Sequence, residues 1–478
     1  MPKHILATVA ALLMAAGLSA GQTTGTAVDP AKVDAVFARW SSATPGCAVG
    51  VGVGGRSVLQ KAYGMADLEH DVPNKAETIF EAGSVSKQFT ALAVLLLASD
   101  GKLSLDDPVR KYIPELPDYG TPLLIRHMLT HTSGLRDWGS LAGIAGWPRG
   151  TRVHTHAHVV EILGRQRALN FTPGTRYSYS NSGYNLAAVI VARVSGMPFA
   201  EFSQKRIFQP LGMTRTSWRD DYTRIVRDRA IAYSGSGTNL SQDMPFENVH
   251  GNGGLLTTVG DLLKWNENFV APKVGDTALV ALQQTVGKFP SGANQTYAVG
   301  LMLGVYKGLP EVSHSGSTAG YRAFLTRFPK QHVSVAVLCN AGSADATAAA
   351  HAVSDLYLEG AANPSAPRPP APEENRGPLT ALTRDANYQP SATDLKAFTG
   401  TYVSDEIETT LVVEVRDGAL VALRRPDSVI PLRPHSRDRF DAGGGIGLVT
   451  FHRTNGAVTG LGVTQDRVWD LRFARKTP

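Results

Sequence analysis

The sequence predicts an α+β domain followed by a small antiparallel β-barrel or sandwich. Two strand-like stretches carry the first half of that prediction. GCAVGVGVGGRSVLQKAYG covers 46–64 and YRAFLTRFPKQHVSVAVLCNAG covers 321–342, with helical text between them. Each holds short apolar runs split by turn residues, so one sheet is expected to unite the two ends of the domain. The second half rests on residues 391–478. There Asp417-Gly418 separates TTLVVEV from ALVALRR, and Asn455-Gly456 separates LVTFH from AVTGLGV. Both dipeptides suit the positive φ angles of a tight hairpin turn. Between the two parts, 361–390 is rich in Pro and Ala and poor in large apolar residues, which predicts an extended linker.

Composition narrows the class. The 478 residues are 43% hydrophobic and 18% charged, enough to bury a sizeable core and to exclude a wholly disordered chain. The formal charge of +6 is mild, and no run of like charges marks a nucleic-acid surface. Two cysteines exclude a disulfide scaffold and any four-cysteine metal site. No phosphate-binding loop or dinucleotide fingerprint occurs, so no cofactor is expected.

Taken in order, the chain opens with Lys3, an apolar run from Ile5 to Leu18, and small residues Ser19, Ala20 and Gly21. This is the pattern of a secretory signal peptide over 1–20. A mature protein in the periplasm or outside the cell is expected, with no stable membrane span after cleavage. The first hairpin follows, from Cys47 to Tyr63 around Gly54-Gly55. Next, SVSKQFTALAVLLLASDGK leaves almost no polar face after Lys87, which predicts a buried helix ended by Asp100-Gly101.

That helix opens with Ser84-Val85-Ser86-Lys87. The spacing puts Ser84 and Lys87 on one helical face, about 5–6 Å apart at Cβ. A serine hydroxyl needs a base to become a nucleophile, and a lysine serves only where burial lowers its pKa. The same S-x-x-K spacing recurs at Ser99 and Lys102, across a turn with no buried face, and reads as coincidence. FTPGTRYSYSNSGYN then offers Tyr179 and Asn181, a phenol that can relay a proton and an amide that can hold a carbonyl. VSHSGSTAGYR offers His314, Ser315, Gly316 and Ser317. Gly316 would let a substrate backbone approach, and the Ser317 N–H could join that of Ser84 in an oxyanion hole.

The ordered set S-V-S-K, Y-S-N and H-S-G resembles the serine β-lactamase and penicillin-binding-protein superfamily. It is most similar to the branch of class C β-lactamases, DD-peptidases and D-aminopeptidases. KLSLDDPVRKYIPELP, LLIRHMLTHTSGL, FQPLGMTRTS and GNGGLLTTVGDLLKW carry the same resemblance. It implies a β-lactamase/transpeptidase-like domain over 27–360, with an antiparallel sheet flanked by helices and an all-helical region. It implies Ser84 as the acylated nucleophile, Lys87 and Tyr179 as the acid/base pair, and Asn181 as a substrate-positioning amide. His314, Ser315 and Gly316 become the strand where substrate docks, and Ser84 and Ser317 the oxyanion donors. FTGTYVSDE and WDLRFAR make 391–478 resemble a lipocalin-like domain. In the family sheet the first and last strands are neighbours, which implies that Cys47 and Cys339 lie close enough for a disulfide.

The resemblance implies a serine hydrolase acting on a small molecule or peptide, including cell-wall fragments. Peptides with D-amino acids come first, then esters and β-lactams. A different class of function stays open: a penicillin- or muropeptide-binding sensor that acylates without turnover, or a scaffold. His314 stands where many β-lactamases carry lysine, and a histidine is mostly neutral near pH 7. His154, His156 and His158 could suggest a metal site, but the pattern predicts a solvated helix and no metal. His127 and His131 are read as structural.

Overall fold

The computed structural model describes residues 28–237, 239–367 and 370–476. The expected signal peptide lies outside the described residues. Among the described residues no single helix is long and apolar enough to cross a membrane.

The elements that position the site, in chain order, are α1 (Pro30–Val36), β1 (Cys47–Val53), β2 (Arg56–Tyr63), α2 (Lys87–Ser99), α3 (Asn181–Ser195), α4 (Val259–Glu267), β3 (Met302–Tyr306), β4 (Leu309–Thr318), β5 (Tyr321–Phe328), β6 (Val333–Cys339) and α5 (Ala346–Tyr357). One antiparallel sheet runs β3-β4-β5-β6-β1-β2. It unites the early hairpin with the late strands, as the sequence predicts. β1 is buried on both faces, as a central strand must be when helices cover both sides. Val49 and Val51 pack with Val33 of α1 and Val353 of α5. Ala48 joins the larger core on the other face, with Val259 and Leu262 of α4.

Cys47 and Cys339 are register partners in β1 and β6 and are joined in a disulfide. The bond ties strands 292 residues apart in sequence. Beside the sheet lies a helical region. Its centre is α2, whose residues from Lys87 to Leu97 are all buried, and α2 packs against α3.

The C-terminal part is a closed eight-stranded antiparallel barrel. α6 (Ala392–Phe398) leads into β7 (Gly400–Ser404), β8 (Thr409–Arg416), β9 (Ala419–Arg424), β10 (Ser428–Ser436), β11 (Arg439–Asp441), β12 (Leu448–Thr454), β13 (Ala457–Gln465) and β14 (Val468–Arg475). Closure by β7 against β14 removes the free edges that an open sheet would leave. The Asp417-Gly418 and Asn455-Gly456 turns have positive φ at both residues, as their sequences predict. The sequence predicts only strands here, and α6 is an addition. Its Phe398 stacks against Phe451 with ring centroids 4.4 Å apart. Tyr402, Leu411, Val413, Leu461 and Phe473 are buried, so side chains fill the barrel.

The Pro/Ala-rich segment is not free of the body. Glu374 accepts a backbone hydrogen bond from Tyr177 N at 3.1 Å, and the Arg376 carbonyl accepts from Arg176 Nη2 at 3.1 Å. Short 3₁₀ turns at Glu373–Asn375 and Pro378–Ala381 replace a fully extended run.

Candidate active site

Ser84 lies in a 3₁₀ turn, Gly83–Ser86, that leads into α2, rather than in the α-helix itself. The turn is held by Ser86 Oγ, which donates to the Gly83 carbonyl at 2.5 Å and accepts from Leu255 N at 3.1 Å. Gly83 has φ +51°, and β4 presses against it. A Cβ on Gly83 would sit 2.6 Å from Ser317 N, and a Cβ on Gly316 would sit 2.0 Å from the Ala82 carbonyl oxygen and 3.1 Å from Ser84 N. Gly316 therefore serves an approach between two parts of the protein's own backbone, where the sequence reading assigns it to a substrate backbone. Two glycines bring Ser84 N and Ser317 N to one end of the cleft.

Lys87 is fully buried and its Nζ is the hub of the site. It donates to Ser84 Oγ at 3.1 Å, to Asn181 Oδ1 at 2.9 Å and to the Asn252 carbonyl at 2.7 Å. Burial holds the Lys87 pKa well below the usual lysine value. Arg467 and Arg149 push it the same way, and Asp137 opposes them. Tyr179 lies beside this hub, with Lys87 Nζ 4.8 Å from its ring centroid. Burial raises the phenol's pKa well above 10, while Ser84 and Arg467 draw it back.

The Tyr179 loop is clamped by His131. Its carbonyl accepts from Ser178 N at 3.0 Å and its Nδ1 from Ser180 N at 3.2 Å. Its ring lies 4.1 Å from that of Tyr179. Asp137 Oδ2 accepts from Asn181 N at 2.8 Å and fixes the start of α3.

β3 ends opposite Ser313, so His314–Thr318 pair only with β5 and leave one edge open. An extended ligand can add to such an edge through main-chain hydrogen bonds. Ser315 and Ser317 are exposed there, whereas His314 is buried. His314 Nδ1 donates to the Ser315 carbonyl at 2.6 Å, and Nε2 accepts from Tyr297 Oη at 2.8 Å. Both ring nitrogens are used by the neutral imidazole. Burial, with Lys87 nearby, lowers its pKa to about 3.

All of the predicted site residues except Gly316 line a cleft of about 470 Å³ or form its Lys87 floor. The sequence reading did not single out Arg149, Tyr177, Asn252 and Arg467, which line the same cleft, or Tyr297, which supports His314. Tyr297 sits alone in a loop with no motif around it. Arg467 comes from the barrel, and nothing near it in sequence points to this cleft. The second S-x-x-K match is exposed at Ser99 and Lys102. The three spaced histidines do not form a solvated helix face. His154 precedes the helix and is buried, and His156 Nε2 contacts the His250 carbonyl at 2.9 Å. Among the described residues they do not converge on a common point as metal ligands do.

Comparisons with known proteins place the family and the fold. The profile of the Beta-lactamase family matches residues 31–358. Penicillin-binding protein 4* of Bacillus subtilis (strain 168) is 28% identical over 312 residues, which are 60% of this chain and 66% of that protein. A D-aminopeptidase of Cereibacter sphaeroides (strain KD131 / KCTC 12085) is 26% identical over 401 residues, 81% of this chain and 75% of its own. A D-aminopeptidase of Gluconobacter oxydans (strain 621H) is 30% identical over 323 residues, 67% of this chain and 60% of its own. The chain thus spans less than two thirds of the length of the first and third of these relatives. Among solved structures, the octameric penicillin-binding protein homologue from Pyrococcus abyssi has a TM-score of 0.61 at 25% identity. That match covers 94% of this chain and 100% of the other. The D-amino acid amidase from Ochrobactrum anthropi SV3 shares the fold, with a TM-score of 0.57 at 23% identity over 69% of this chain and 97% of its own. With a match over most of its length, the chain belongs to the Beta-lactamase family.

Proposed function

We propose that this chain is an exported serine hydrolase that works through an acyl-enzyme on Ser84, with peptides containing D-amino acids as its substrates. The observation that carries the reading is the contact between Ser84 Oγ and a fully buried Lys87 Nζ at 3.1 Å. A neutral amine has two N–H bonds and one lone pair. Asn181 Oδ1 and the Asn252 carbonyl take the two N–H bonds, so in the free amine the Ser84 contact reverses and the lone pair accepts from the Ser84 hydroxyl.

In this reading Lys87 is the base. Its lowered pKa favours the free amine, while the raised pKa of Tyr179 keeps the phenol protonated. As Ser84 Oγ bonds to the acyl carbon, its proton passes to Lys87. The carbonyl oxygen becomes an oxyanion between the N–H groups of Ser84 and Ser317. The bond to the leaving group then breaks, and a proton reaches that group from Lys87 through the Tyr179 hydroxyl. Water attacks the ester in the second half, gives its proton to Lys87, and frees the acid and Ser84. Asn181 has its oxygen engaged by Lys87, so its amide nitrogen is the group left to hold a substrate carbonyl.

The preference for D-amino acids rests on relatives that are D-aminopeptidases. Export rests on the signal-peptide pattern and on the Cys47–Cys339 disulfide, a bond that persists in oxidising compartments. Intact mass after mixing with benzylpenicillin tests the nucleophile. An adduct, or loss of the penicillin, that is absent from Ser84→Ala is the expected result. Equal consumption or labelling by the Ser84→Ala variant would refute the mechanism. A permanent adduct, with no turnover of D-alanyl peptides or esters, would move the protein to the sensor class.

A further inference from the structure

The barrel reaches into the cleft through one turn. Gln465 pairs with Val468, so Asp466 and Arg467 form a two-residue hairpin turn between β13 and β14. The backbone of this turn is fixed by the hydrolase domain. The Arg467 carbonyl accepts from Asp137 N at 3.2 Å and from Asn170 Nδ2 at 3.0 Å, and the Asp466 carbonyl accepts from Ser178 Oγ at 3.4 Å. Just beyond the turn, Trp469 N donates to Asn170 Oδ1 at 2.9 Å, and its ring packs on Phe171 with centroids 5.1 Å apart.

A turn held this firmly aims its side chain. The Arg467 guanidinium lies 4.8 Å from the centroid of the Tyr179 ring and lines the same cleft as Ser84, Ser315 and Ser317. A guanidinium over an aromatic face is held there by cation–π attraction, which leaves its N–H groups free to bind a ligand. Among the described residues, no carboxylate lies within ion-pairing distance of it. The other arginine of the cleft differs. Arg149 is committed to Glu247, with Nε–Oε2 at 2.9 Å. No Asp or Glu lines the cleft among the described residues. His314, at the substrate-docking strand, is buried, and burial with Lys87 nearby disfavours its charged form.

We propose that Arg467 is the carboxylate-binding group of this site, so that the barrel completes the specificity pocket of the hydrolase domain. The inference rests on the serine-hydrolase reading and narrows it. The substrate bears a free carboxylate close to its scissile bond, as the C-terminal residue of a peptide does. An uncommitted guanidinium binds such a group through paired hydrogen bonds and repels a free ammonium. This favours cleavage at the carboxyl end of a D-peptide over cleavage at its amino end. It also returns to the cleft the positive charge that histidine at position 314 does not supply.

Binding to the full-length Ser84→Ala variant tests the subsite without any turnover. The probes are N-acetyl-D-alanyl-D-alanine and the same peptide with a C-terminal amide, titrated by calorimetry. The acid is expected to bind at least 10-fold tighter than the amide. Adding Arg467→Ala is expected to erase that difference, and Arg467→Lys to retain part of it. Equal affinity for acid and amide, equal weakening of both by Arg467→Ala, or no binding of either would overturn the proposal. Failure of the hydrolase reading looks different, because wild-type protein would then cleave neither peptide while the acid still bound better.

Discussion

The two walls of the cleft are built by different means. The Ser84 wall is local: a four-residue turn, two glycines and the head of a buried helix, with Lys87 three residues from Ser84. The Arg467 wall is assembled from afar, by a barrel hairpin seated on loops of another part of the chain. Chemistry that must be placed to a fraction of an ångström sits on the first wall. In the proposed reading, recognition sits on the second, on a turn between strands, where change is tolerated best. The difference predicts that damage to the barrel's seat changes what is bound before it changes how the bond is broken.

The largest expected effect falls on that seat. Arg136 is buried and pairs with Glu406 of the barrel at 2.8 Å. It also donates to Gln166 Oε1 at 3.1 Å and to the Trp469 carbonyl at 3.3 Å, two residues past Arg467. Gln166 Nε2 and Arg167 N hold Glu406 from the other side, at 3.0 and 2.7 Å. Arg136→Ala leaves the Glu406 charge buried and unpaired. It is expected to cost about 3–5 kcal/mol of stability in urea unfolding. The acid-over-amide preference should shrink in the same variant. Full retention of that preference would show that the barrel wall does not need this seat.

Single added methyl groups separate the Ser84 wall from the body of the barrel further. Gly316→Ala drives a Cβ into the Ala82 carbonyl and pushes Ser84 N from Ser317 N. Loss of one oxyanion donor costs about 10²–10³ in kcat. The same order is expected here, with thermal stability falling less steeply than activity. Gly444→Ala in the barrel adds its Cβ to open space, and should leave both rate and stability unchanged. Comparable rates for Gly316→Ala and wild type would remove the oxyanion role from this contact.

How far each wall could be read from sequence follows from the same contrast. Ser84 and Lys87 are contiguous text on an apolar helix, and their spacing alone implies contact. The Cys47 and Gly54-Gly55 hairpin, the late strands and both barrel hairpins are also local patterns, and their turns carry the expected residues. Tyr179 and Asn181 were legible only through resemblance, since a tyrosine-rich loop is common. Arg467, Tyr297 and the true setting of His154 were not legible. Each depends on packing between segments more than 90 residues apart in sequence or on loops without a motif. Gly316 was found for a reason the structure replaces, because sequence shows that a glycine is needed but not which backbone approaches it. The linker was legible as composition, and its attachment to the Tyr177 loop was not.

Acid should undo the catalytic wall before it undoes the barrel. His314 is buried with a pKa of about 3, against about 6.5 in an unfolded chain. Between those values the unfolded chain holds a proton that the folded protein does not. Stability therefore falls as pH drops from 6.5 toward 3, by at most ~1.4 kcal/mol per pH unit for one such group. His131 and His250 are lowered by burial as well and add to the same slope. In the barrel, burial would raise the Asp470 pKa, but His452 and Arg472 hold it below 3.8, so its contribution is lost only in stronger acid. His314→Asn loses hydrogen bonds to Tyr297 and Ser315 and should be less stable than wild type at pH 7. It should also lose less stability between pH 6.5 and pH 5, because one proton-binding group is gone. Urea unfolding of both proteins at the two pH values measures this. Parallel losses would mean that His314 binds its proton in the folded protein, and the cleft would then carry a positive charge at that strand in mild acid.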